Sequence, residues 1–244
     1  MKVIVNPTWR CQFSCPYCWV RALGWHRRKE ERPWQRWFWW LRQLPLPSHV
    51  EISGGEPLLY SGLLPLLDGL GAEGLTWAMT TNLHEAPVLE RLVRRPIKGC
   101  VLINVSIHPQ SDGDLAERAR RLRGAGYRVY LNRVDHPAAP SVPDGLSGIP
   151  VHLIPYQPWE EELACDGVVR WCSAGGKHLA CDPSGRVFRC MVHMQKGLAP
   201  LGSIASPVGG SLRKPILCHV GCSTCYRDTP AAWGLEMETV GQED

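Results

Sequence analysis

The chain has 244 residues and a mass of 27.3 kDa, and 44% of its residues are hydrophobic. This length allows one substantial core with a small appendage, and the composition excludes a disordered or fibrous protein. The formal net charge of +4 gives only weak support for nucleic-acid binding. No apolar run approaches the roughly 18–20 residues that cross a bilayer, and no signal peptide precedes the first predicted strand. We therefore expect a cytoplasmic protein whose eleven cysteines indicate metal ligation rather than disulfides.

Short apolar strands alternate with amphipathic helical segments over the first two thirds of the chain, which is typical of parallel βα units. The strands are predicted at residues 3–6, 50–52, 75–81, 101–107, 128–132 and 151–154, and the helices at residues 33–43, 63–70, 87–94 and 112–125. Residues 137–147 are too rich in proline for a regular helix, so the fifth crossover is predicted to be truncated. We expect an α/β fold, a partial (β/α)6-type barrel that is open on one side and covers residues 1–160. A small domain built on a β-hairpin and a cysteine knuckle follows at residues 161–244.

Three cysteines lie close together after the first predicted strand. Cys11, Cys15 and Cys18 are spaced C-x3-C-x2-C in one short loop. Three thiolates can bind three irons of a [4Fe–4S] cube and leave the fourth iron open to a small molecule, whereas a closed structural zinc site needs four protein ligands. A zinc knuckle or a chance grouping is the alternative interpretation.

With the aromatic Tyr17 before the third cysteine, this motif resembles the signature of the radical S-adenosylmethionine (radical SAM) enzymes. The resemblance implies that Cys11, Cys15 and Cys18 hold a catalytic [4Fe–4S] cluster, and that its fourth iron chelates the amino and carboxylate groups of SAM. It also implies reductive cleavage of SAM to a 5′-deoxyadenosyl radical, which abstracts a hydrogen atom from an unactivated C–H bond. Tyr17 belongs to this cofactor site, and a reducing partner such as a flavodoxin or a ferredoxin is expected.

The second predicted strand is followed by the sequence Ser-Gly-Gly-Glu-Pro at residues 53–57. Two glycines let a backbone approach a ligand where a Cβ would collide, and a carboxylate can accept a hydrogen bond from an ammonium group. Alone, this sequence is an ordinary turn. Its position after the cysteine loop, at the end of a strand, resembles the GGE motif of radical SAM enzymes. The resemblance implies that Gly54, Gly55 and Glu56 bind the amino group of SAM.

Polar side chains follow the later predicted strands, at the edge where ligands bind to parallel sheets. The resemblance places contacts to the SAM ribose and carboxylate at the ends of strands four and five, which points to Ser106 and Asn132. Solvated loop positions are the alternative for each residue. The other polar residues predicted at this edge are Thr81, Asn82, His108, Asp135, His136, Tyr156 and Gln157. Both histidines precede a proline, so a turn-positioning role competes with proton transfer.

A second cysteine-rich block begins near residue 171. Cys172 and Cys190 flank a turn at residues 182–185, between segments 178–181 and 187–190 that read as strands. The hairpin is predicted to place both thiols near its open end. A structural zinc ribbon is one interpretation of this block, because thiolate geometry alone does not separate zinc from iron.

The C-x2-C pair Cys222 and Cys225 completes a set of four thiolates with those of the hairpin, and Cys218 is the alternative to Cys222. With Gly185 between the first two cysteines, the block resembles the twitch domain, a shortened form of the SPASM extension of radical SAM enzymes. The resemblance implies one auxiliary [4Fe–4S] cluster. Of the remaining cysteines, Cys100 reads as a small buried hydrophobe. The other two, Cys165 and Cys181, are candidates to give a hydrogen atom to a substrate radical, as in some radical SAM epimerases.

Residues 21–43 combine six aromatic side chains with seven basic ones. Aromatic rings interleaved with cations can stack on bases while neutralising phosphates. In the alternative interpretation, Trp34, Trp37, Phe38 and Leu41 form the core face of a helix, because they follow the spacing i, i+3, i+4 and i+7. The two tryptophans after Phe38 cannot both face the core.

The sequence therefore predicts a radical SAM enzyme, an oxidoreductase or an isomerase, that acts on a C–H bond with help from an auxiliary cluster. A modified nucleotide or nucleic-acid base is the favoured substrate. A sugar alcohol remains open, and peptide modification is less favoured because few residues precede Cys11 for a leader-binding domain. A zinc-binding module that holds nucleic acid without catalysis is the alternative class, but it gives residues 53–57 no role. No membrane partner is expected, and the oligomeric state is not predicted.

Overall fold

The computed structural model describes residues 1–146, 148–156, 170–172, 174–206 and 216–218. The elements of the first part are β1 (Lys2–Val5), α1 (Trp19–Ala22), α2 (Trp34–Leu41), β2 (His49–Ile52), α3 (Leu63–Ala72), β3 (Thr76–Thr81), α4 (Ala86–Arg94), β4 (Cys100–Ile107), α5 (Leu115–Gly124), β5 (Val129–Asp135) and β6 (Val151–Pro155). Those of the second part are β7 (Arg170–Cys172), β8 (His178–Cys181), β9 (Arg186–Phe188), α6 (Met191–Gln195), β10 (Gly202–Ser203) and β11 (Ile216–Cys218). Short 3-10 helices cover Trp25–Arg27 and Pro57–Leu59. Among the described helices, none has the length and hydrophobicity to cross a membrane.

Nine strands form one mixed sheet in the order β10-β9-β8-β1-β2-β3-β4-β5-β6. Strands β8 and β1 to β6 are parallel to one another. Strand β9 pairs antiparallel with β8, and β10 pairs antiparallel with β9. Strands β7 and β11 form a separate antiparallel pair. In the described part of the chain, β6 and β10 are the two edges of the large sheet and do not pair with each other. The predicted open α/β barrel is therefore confirmed.

One face of the sheet is apolar and lies under the helices. Side chains alternate between the two faces of a strand, so Val3 and Val5 on β1 share this face with Ile103 and Val105 on β4. Helix α2 adds a set of fully buried side chains to the same core, namely Trp37, Trp40 and Leu41. The core face of α2 thus includes Trp40, which the sequence had not placed there. Trp34 and Phe38 of the predicted face are only half-buried, and Trp39 is 43% exposed.

The opposite face of the sheet is polar near the carboxyl ends of the strands. Asn104 lies in register with Tyr130, and Ser106 lies in register with Asn132, which in turn pairs with His152. Because neighbours in register point to the same side of a sheet, these five side chains form one polar lining. We call this the inner face.

Strand β5 is longer than the sequence predicts, and this changes the position of Asn132. The strand was expected to end at residue 132 but continues to Asp135, because its last residues pair with Leu153 to Pro155 of β6. Asn132 therefore lies within the strand instead of at its end. Between β5 and β6, residues 136–146 and 148–150 contain turns and no helix, as the proline content predicts.

The predicted hairpin of β8 and β9 joins the large sheet. Strand β8 pairs in parallel with β1, with Lys2 opposite His178 and Val5 opposite Cys181. The hairpin turn at residues 182–185 consequently lies at the same edge of the sheet as the cysteine loop after β1. The domain boundary after residue 160 lies outside the described residues and stays a prediction.

The Gly-Gly turn after β2 packs against the loop that follows β1. The amide of Gly55 donates to the carbonyl of Thr8 at 2.9 Å, and the amide of Glu56 donates to the carbonyl of Arg10 at 2.7 Å. A Cβ on Gly55 would lie 2.1 Å from the Arg10 oxygen, and Gly54, with φ +117°, would place its Cβ 2.5 Å from the Thr8 oxygen. The absent side chains thus permit a close approach between two loops of this chain, whereas the sequence had suggested an approach to a ligand.

Replacing Gly55 by alanine is expected to destabilise the fold, because the new Cβ collides with backbone that cannot move independently. We expect Gly55→Ala to lower the free energy of unfolding by about 1–3 kcal/mol. The matched control is Gly124→Ala at the end of α5, where a Cβ meets no atom within 4 Å. That variant should be neutral or more stable by up to about 1 kcal/mol. Equal urea midpoints for the two variants would contradict the contact.

Candidate active site

The three cysteines of the C-x3-C-x2-C motif share one loop between β1 and α1. Cys11 is exposed, Cys15 is buried and Cys18 is half-buried. The amide of Cys18 donates to the carbonyl of Cys15 at 3.2 Å, and Cys18 then caps α1, where its carbonyl accepts from the amides of Arg21 and Ala22. The loop therefore turns directly into a helix at its third cysteine.

Arg10, directly before Cys11, is fixed by two other segments. Its guanidinium forms a bidentate ion pair with Glu31, at 2.6 Å and 3.1 Å, and also donates to the carbonyl of Leu59 at 2.7 Å. The hydroxyl of Thr8 donates to the same Glu31 carboxylate at 2.5 Å. Sequence reasoning missed Arg10 and Glu31, because neither belongs to a spaced motif and their pairing joins residues about twenty positions apart.

The three thiols influence one another electrostatically. Burial raises the pKa of Cys15 to about 12, and the neighbouring Cys18 and Cys11 add to the increase. Burial also raises the pKa of Cys11, to which Glu56 and Cys18 contribute. Thiolates gathered in this way need a cationic partner to stay ionised, and the irons of a cluster provide one. The donor set therefore fits an iron–sulfur cluster held by three cysteines.

The three cysteines lie close enough to influence one another electrostatically, but their side chains do not form a complete ligand set. Over the described ranges, no three Cys, His, Asp or Glu side chains converge closely enough to hold a metal ion as they stand. Cys11 is also the one thiol of the three that faces solvent.

Asn82, at the end of β3, contacts the first cysteine. Its Nδ2 donates to Cys11 Sγ at 4.0 Å, while its Oδ1 accepts from Gln12 Nε2 at 3.1 Å and from the amide of His84 at 3.0 Å. From the sequence, Asn82 was predicted only as one of several polar residues at the ligand-binding edge of the sheet. The structure brings it to the cysteine loop, because β3 and β1 flank β2 and end at the same level.

Glu56 is a buried carboxylate that joins the Gly-Gly turn to β3. It is 1% exposed and accepts from Thr81 Oγ1 at 2.6 Å, from the amide of Asn82 at 2.7 Å and from the amide of Leu58 at 3.0 Å. Burial raises its pKa to about 7, against the opposing effect of these three hydrogen bonds. The structure thus gives Glu56 an anchoring role, and its contact with the amino group of SAM stays a prediction.

The residue after Asn82 adopts an unfavourable backbone conformation. Leu83 is fully buried and has a φ of 56°, a left-handed value that a branched side chain rarely adopts. Its amide donates to Thr81 Oγ1 at 3.0 Å. Strained residues of this kind persist where the surroundings hold them, often at functional sites. Here the Glu56 hydrogen bonds to Thr81 and Asn82 fix the two residues that precede the strained position.

A group of rings covers the buried cysteine from the side of β4. His108 Nδ1 lies 3.3 Å from Cys15 Sγ and 3.2 Å from the Tyr17 hydroxyl. Burial lowers the pKa of His108 to about 4, so its imidazole is neutral near pH 7. His136 lies with its ring centroid 5.2 Å from that of Tyr17 and 4.5 Å from that of Tyr156. The predicted polar edge therefore meets the cysteine loop; Gln157 lies outside the described residues.

His136 also has the turn-positioning contact that the sequence offered as an alternative. Its Nδ1 accepts from the amide of Ala138 at 3.0 Å. This hydrogen bond fixes the first turn after β5, next to Pro137. This contact supports the turn-positioning role of His136 over a role in proton transfer.

Ser106 and Asn132 lie side by side on the inner face. They are partners in register on β4 and β5. The Asn132 side chain is buried, and among the described residues nothing donates a hydrogen bond to its Oδ1. A buried amide oxygen without a donor is costly unless a ligand or water completes it. This supports a ligand contact at Asn132.

The described cysteines of the second block lie around α6 and the small β7–β11 pair. Cys190 is buried and caps α6, and Cys218 Sγ lies 3.8 Å from Nε2 of His193 on the same helix. Cys172 lies on β7, at the register position opposite Ile216. The predicted ligands Cys222 and Cys225 lie outside the described residues, as does Cys165.

Two leftover cysteines have structural surroundings. Cys181 is fully buried in the core, on the face of β8 shared with Val5 of β1, which is the face away from the inner lining. Burial raises its pKa strongly. Cys100 begins β4 and is half-buried, with its pKa raised to about 12 by burial. Neither thiol shares a face with Ser106 and Asn132.

An open parallel sheet with three cysteines after its first strand and a Gly-Gly-Glu turn after its second defines an iron–sulfur enzyme of the SAM-cleaving class. The family model of the radical SAM superfamily matches residues 5–163, and the chain belongs to this superfamily. Membership implies SAM and a [4Fe–4S] cluster as its cofactors. No curated protein matches the sequence significantly.

Solved structures of radical SAM enzymes share this fold. SuiB of Streptococcus suis, bound to the precursor peptide SuiA, is similar with a TM-score of 0.61 and 14% identity, over 84% of this chain and 62% of that chain. Native anSMEcpe with bound AdoMet and Cp18Cys peptide is similar with a TM-score of 0.60 and 11% identity, over 86% of this chain and 79% of that chain. The present chain thus spans less than two thirds of SuiB, and identities this low establish a common fold only.

The raised pKa of Glu56 predicts a pH dependence of stability. A carboxyl whose pKa rises from 4.5 to about 7 on folding favours the folded state while it is protonated, and this stability is lost as the pH rises through the folded pKa. The free energy of unfolding should therefore fall between about pH 5 and pH 8, and fall less in Glu56→Gln. The exposed Glu117→Gln is the control and should keep the wild-type slope in urea titrations. Identical slopes for all three proteins would contradict the buried carboxyl.

Proposed function

We propose that this chain is a radical SAM enzyme that abstracts a hydrogen atom from a C–H bond of an organic substrate and thereby oxidises or isomerises it. The observation that carries the proposal is the meeting of the cysteine loop, the Gly-Gly-Glu turn and Asn82 at one edge of the sheet. When bound, a [4Fe–4S] cluster and SAM supply a 5′-deoxyadenosyl radical after one-electron reduction. The chain supplies ligation, orientation and exclusion of water.

In this proposal Cys11, Cys15 and Cys18 hold the cluster, and the rings of Tyr17 and His108 brace the buried thiol of the set. The contacts of His108 Nδ1 with Cys15 Sγ and the Tyr17 hydroxyl support this bracing. Because its pKa is lowered, the imidazole adds no positive charge beside the thiolates.

The SAM site is proposed to extend from the Gly-Gly turn to the inner face. Gly54, Gly55 and Glu56 form its amino-binding end, with the Glu56 carboxylate holding β3 in place through Thr81 and Asn82. Ser106 and Asn132 form its other end, where the Asn132 oxygen can accept from a ribose hydroxyl. The cysteine loop contacts Asn82 beside the first end, and it contacts His108, two residues after Ser106, beside the second.

An auxiliary [4Fe–4S] cluster is proposed for the second cysteine block, which we interpret as a twitch-like domain. Its proposed ligands are Cys172, Cys190, Cys222 and Cys225, with Cys218 as the alternative to Cys222. Cys218 Sγ lies 3.8 Å from Nε2 of His193, three residues after Cys190, and this proximity supports Cys218 as the alternative. The cluster would accept or relay an electron or anchor the substrate.

For the substrate we propose a modified nucleotide or nucleic-acid base. The inner face offers neutral hydrogen-bonding groups, which suit the amide and hydroxyl groups of such a molecule. Trp37 and Trp40 are buried, so these two rings are not available for stacking on a base and do not support the proposal. A peptide is the second candidate, since SuiB and anSMEcpe are similar in fold and their structures contain peptides. A sugar alcohol fits the same neutral groups.

We also propose a cytoplasmic location, where the thiols stay reduced.

Anaerobic reconstitution tests the two clusters separately. The wild type should bind about eight irons and release 5′-deoxyadenosine from SAM and dithionite. Cys15→Ala should keep about four irons and lose SAM cleavage, whereas Cys190→Ala should keep about four irons and retain it. Cys100→Ala is the matched control and should behave like the wild type. A protein that takes up zinc and no iron, with no 5′-deoxyadenosine, would instead be the non-catalytic zinc module.

Isotope transfer identifies the substrate class. The wild type would be incubated with SAM and deuterated modified nucleosides or oligonucleotides, with deuterated peptides, or with deuterated sugar alcohols. We expect the nucleotide class to place deuterium in 5′-deoxyadenosine, because the substrate hydrogen moves to that product. Transfer from peptides alone would replace the nucleotide proposal by the second candidate.

A further inference from the structure

A basic surface lies beside the cysteine loop and has no assigned role. Its members are exposed cations in and after the Trp25–Arg27 helix: Arg27, Arg28, Lys29 and Arg32. Within the described ranges, no carboxylate pairs with Arg27, Arg28 or Lys29, and Arg32 Nε donates to the carbonyl of Ser184 at 2.7 Å. Glu30 is exposed in the same segment, and the surface presents a net positive charge to solvent.

A layer of tryptophans separates this basic surface from the third cysteine. The Arg28 guanidinium lies 5.0 Å from the ring centroid of the buried Trp25. The centroid of Trp25 lies 5.1 Å from that of Trp9 and 5.6 Å from that of Trp19, and Cys18 packs against the same cluster. A molecule docked on the basic surface would thus be separated from Cys18 by closely packed aromatic side chains.

A cavity of about 370 Å³ adjoins the basic surface. Its walls include Trp9, Arg28 and Glu30 on one side and Ser184 and Arg186 of the β8–β9 turn on the other. Arg186 is ion-paired with Asp182 at 2.6 Å, so Arg28 is the cation of the cavity that lacks a described carboxylate partner. Glu30 and Asp182 also line the cavity, so its charge is mixed, and Arg28 is the group there that an acidic side chain of another protein can approach.

We propose that the basic surface is the docking site of an acidic one-electron donor protein of the flavodoxin or ferredoxin type. The inference rests on the proposed function, in which each cleavage of SAM consumes one electron. The donor loses that electron and the cluster held by Cys18 gains it. Electron-transfer encounters use small interfaces and are steered by opposite charges, which matches a compact basic surface next to a cysteine ligand.

Nucleic acid is a less suitable occupant of this surface. Binding of single strands combines cations with exposed rings on which bases stack. Trp25, the ring nearest the cations, is buried under Arg28. Among the described tryptophans, only Trp39 on α2 is strongly exposed. The surface therefore offers positive charge without exposed rings for base stacking. This combination favours a protein partner over a nucleic acid.

The test compares two reductants on the reconstituted full-length enzyme. The variant Arg27→Glu/Arg28→Glu/Lys29→Glu reverses the surface, and Arg91→Glu/Arg94→Glu/Lys98→Glu makes the same change of charge elsewhere. With reduced flavodoxin or ferredoxin, the first variant should lose about tenfold or more of the rate of cluster reduction, followed by electron paramagnetic resonance, and the control should not. With dithionite, all three proteins should be reduced equally. The donor-driven rate of the wild type should also fall as salt rises.

Two outcomes would overturn the docking proposal. One is an unchanged donor-driven rate in the surface variant, or no reduction of the wild type by either donor protein, while dithionite works. The other is a variant that keeps the donor-driven rate but loses binding to a single-stranded oligonucleotide, which would assign the surface to nucleic acid. A wild type that binds no iron and cleaves no SAM with dithionite would instead refute the proposed function, and the docking proposal with it.

Discussion

The close contact between the turn after β2 and the loop after β1 is the constraint on which the candidate site depends. Two glycines allow the backbone of residues 54–56 to lie against Thr8 and Arg10, and the amide of Glu56 bonds to the carbonyl of Arg10. Arg10 is followed directly by Cys11. The position of the first cysteine is therefore set by backbone contacts between neighbouring loops, which the ion pair of Arg10 with Glu31 reinforces from outside.

The buried carboxylate of Glu56 extends this arrangement to a third strand. Two of its three hydrogen bonds, from Thr81 and Asn82, fix the end of β3 next to the strained Leu83. The side-chain amide of Asn82 thereby lies beside Cys11. A buried polar network of this kind is stable only when its members find partners, so it specifies one arrangement of the three loops. The hydrogen bonds of Glu56 and the fixed backbone conformation of Leu83 together preorganise one side of the cysteine loop.

Much of the fold follows from local pattern in the sequence, because alternation of apolar strands and helices leaves few arrangements other than a parallel sheet. The spacing of Cys11, Cys15 and Cys18 also pointed to the radical SAM superfamily, which the family model confirms. What the sequence did not contain were contacts between distant segments. The extension of β5 depends on pairing with β6, and the pairing of Glu31 with Arg10 has no motif. The reason for the two glycines became clear only when the facing carbonyls were located.

The central claim is that the thiols of Cys11, Cys15 and Cys18 hold a cluster with one iron open to SAM. Electron–nuclear double resonance on the reduced enzyme with SAM labelled with ¹⁵N at its amino group tests this most directly. The account predicts a hyperfine coupling between the cluster spin and the labelled nitrogen, which disappears in Cys11→Ala. A reduced cluster in the wild type that shows no coupling to the label would contradict it.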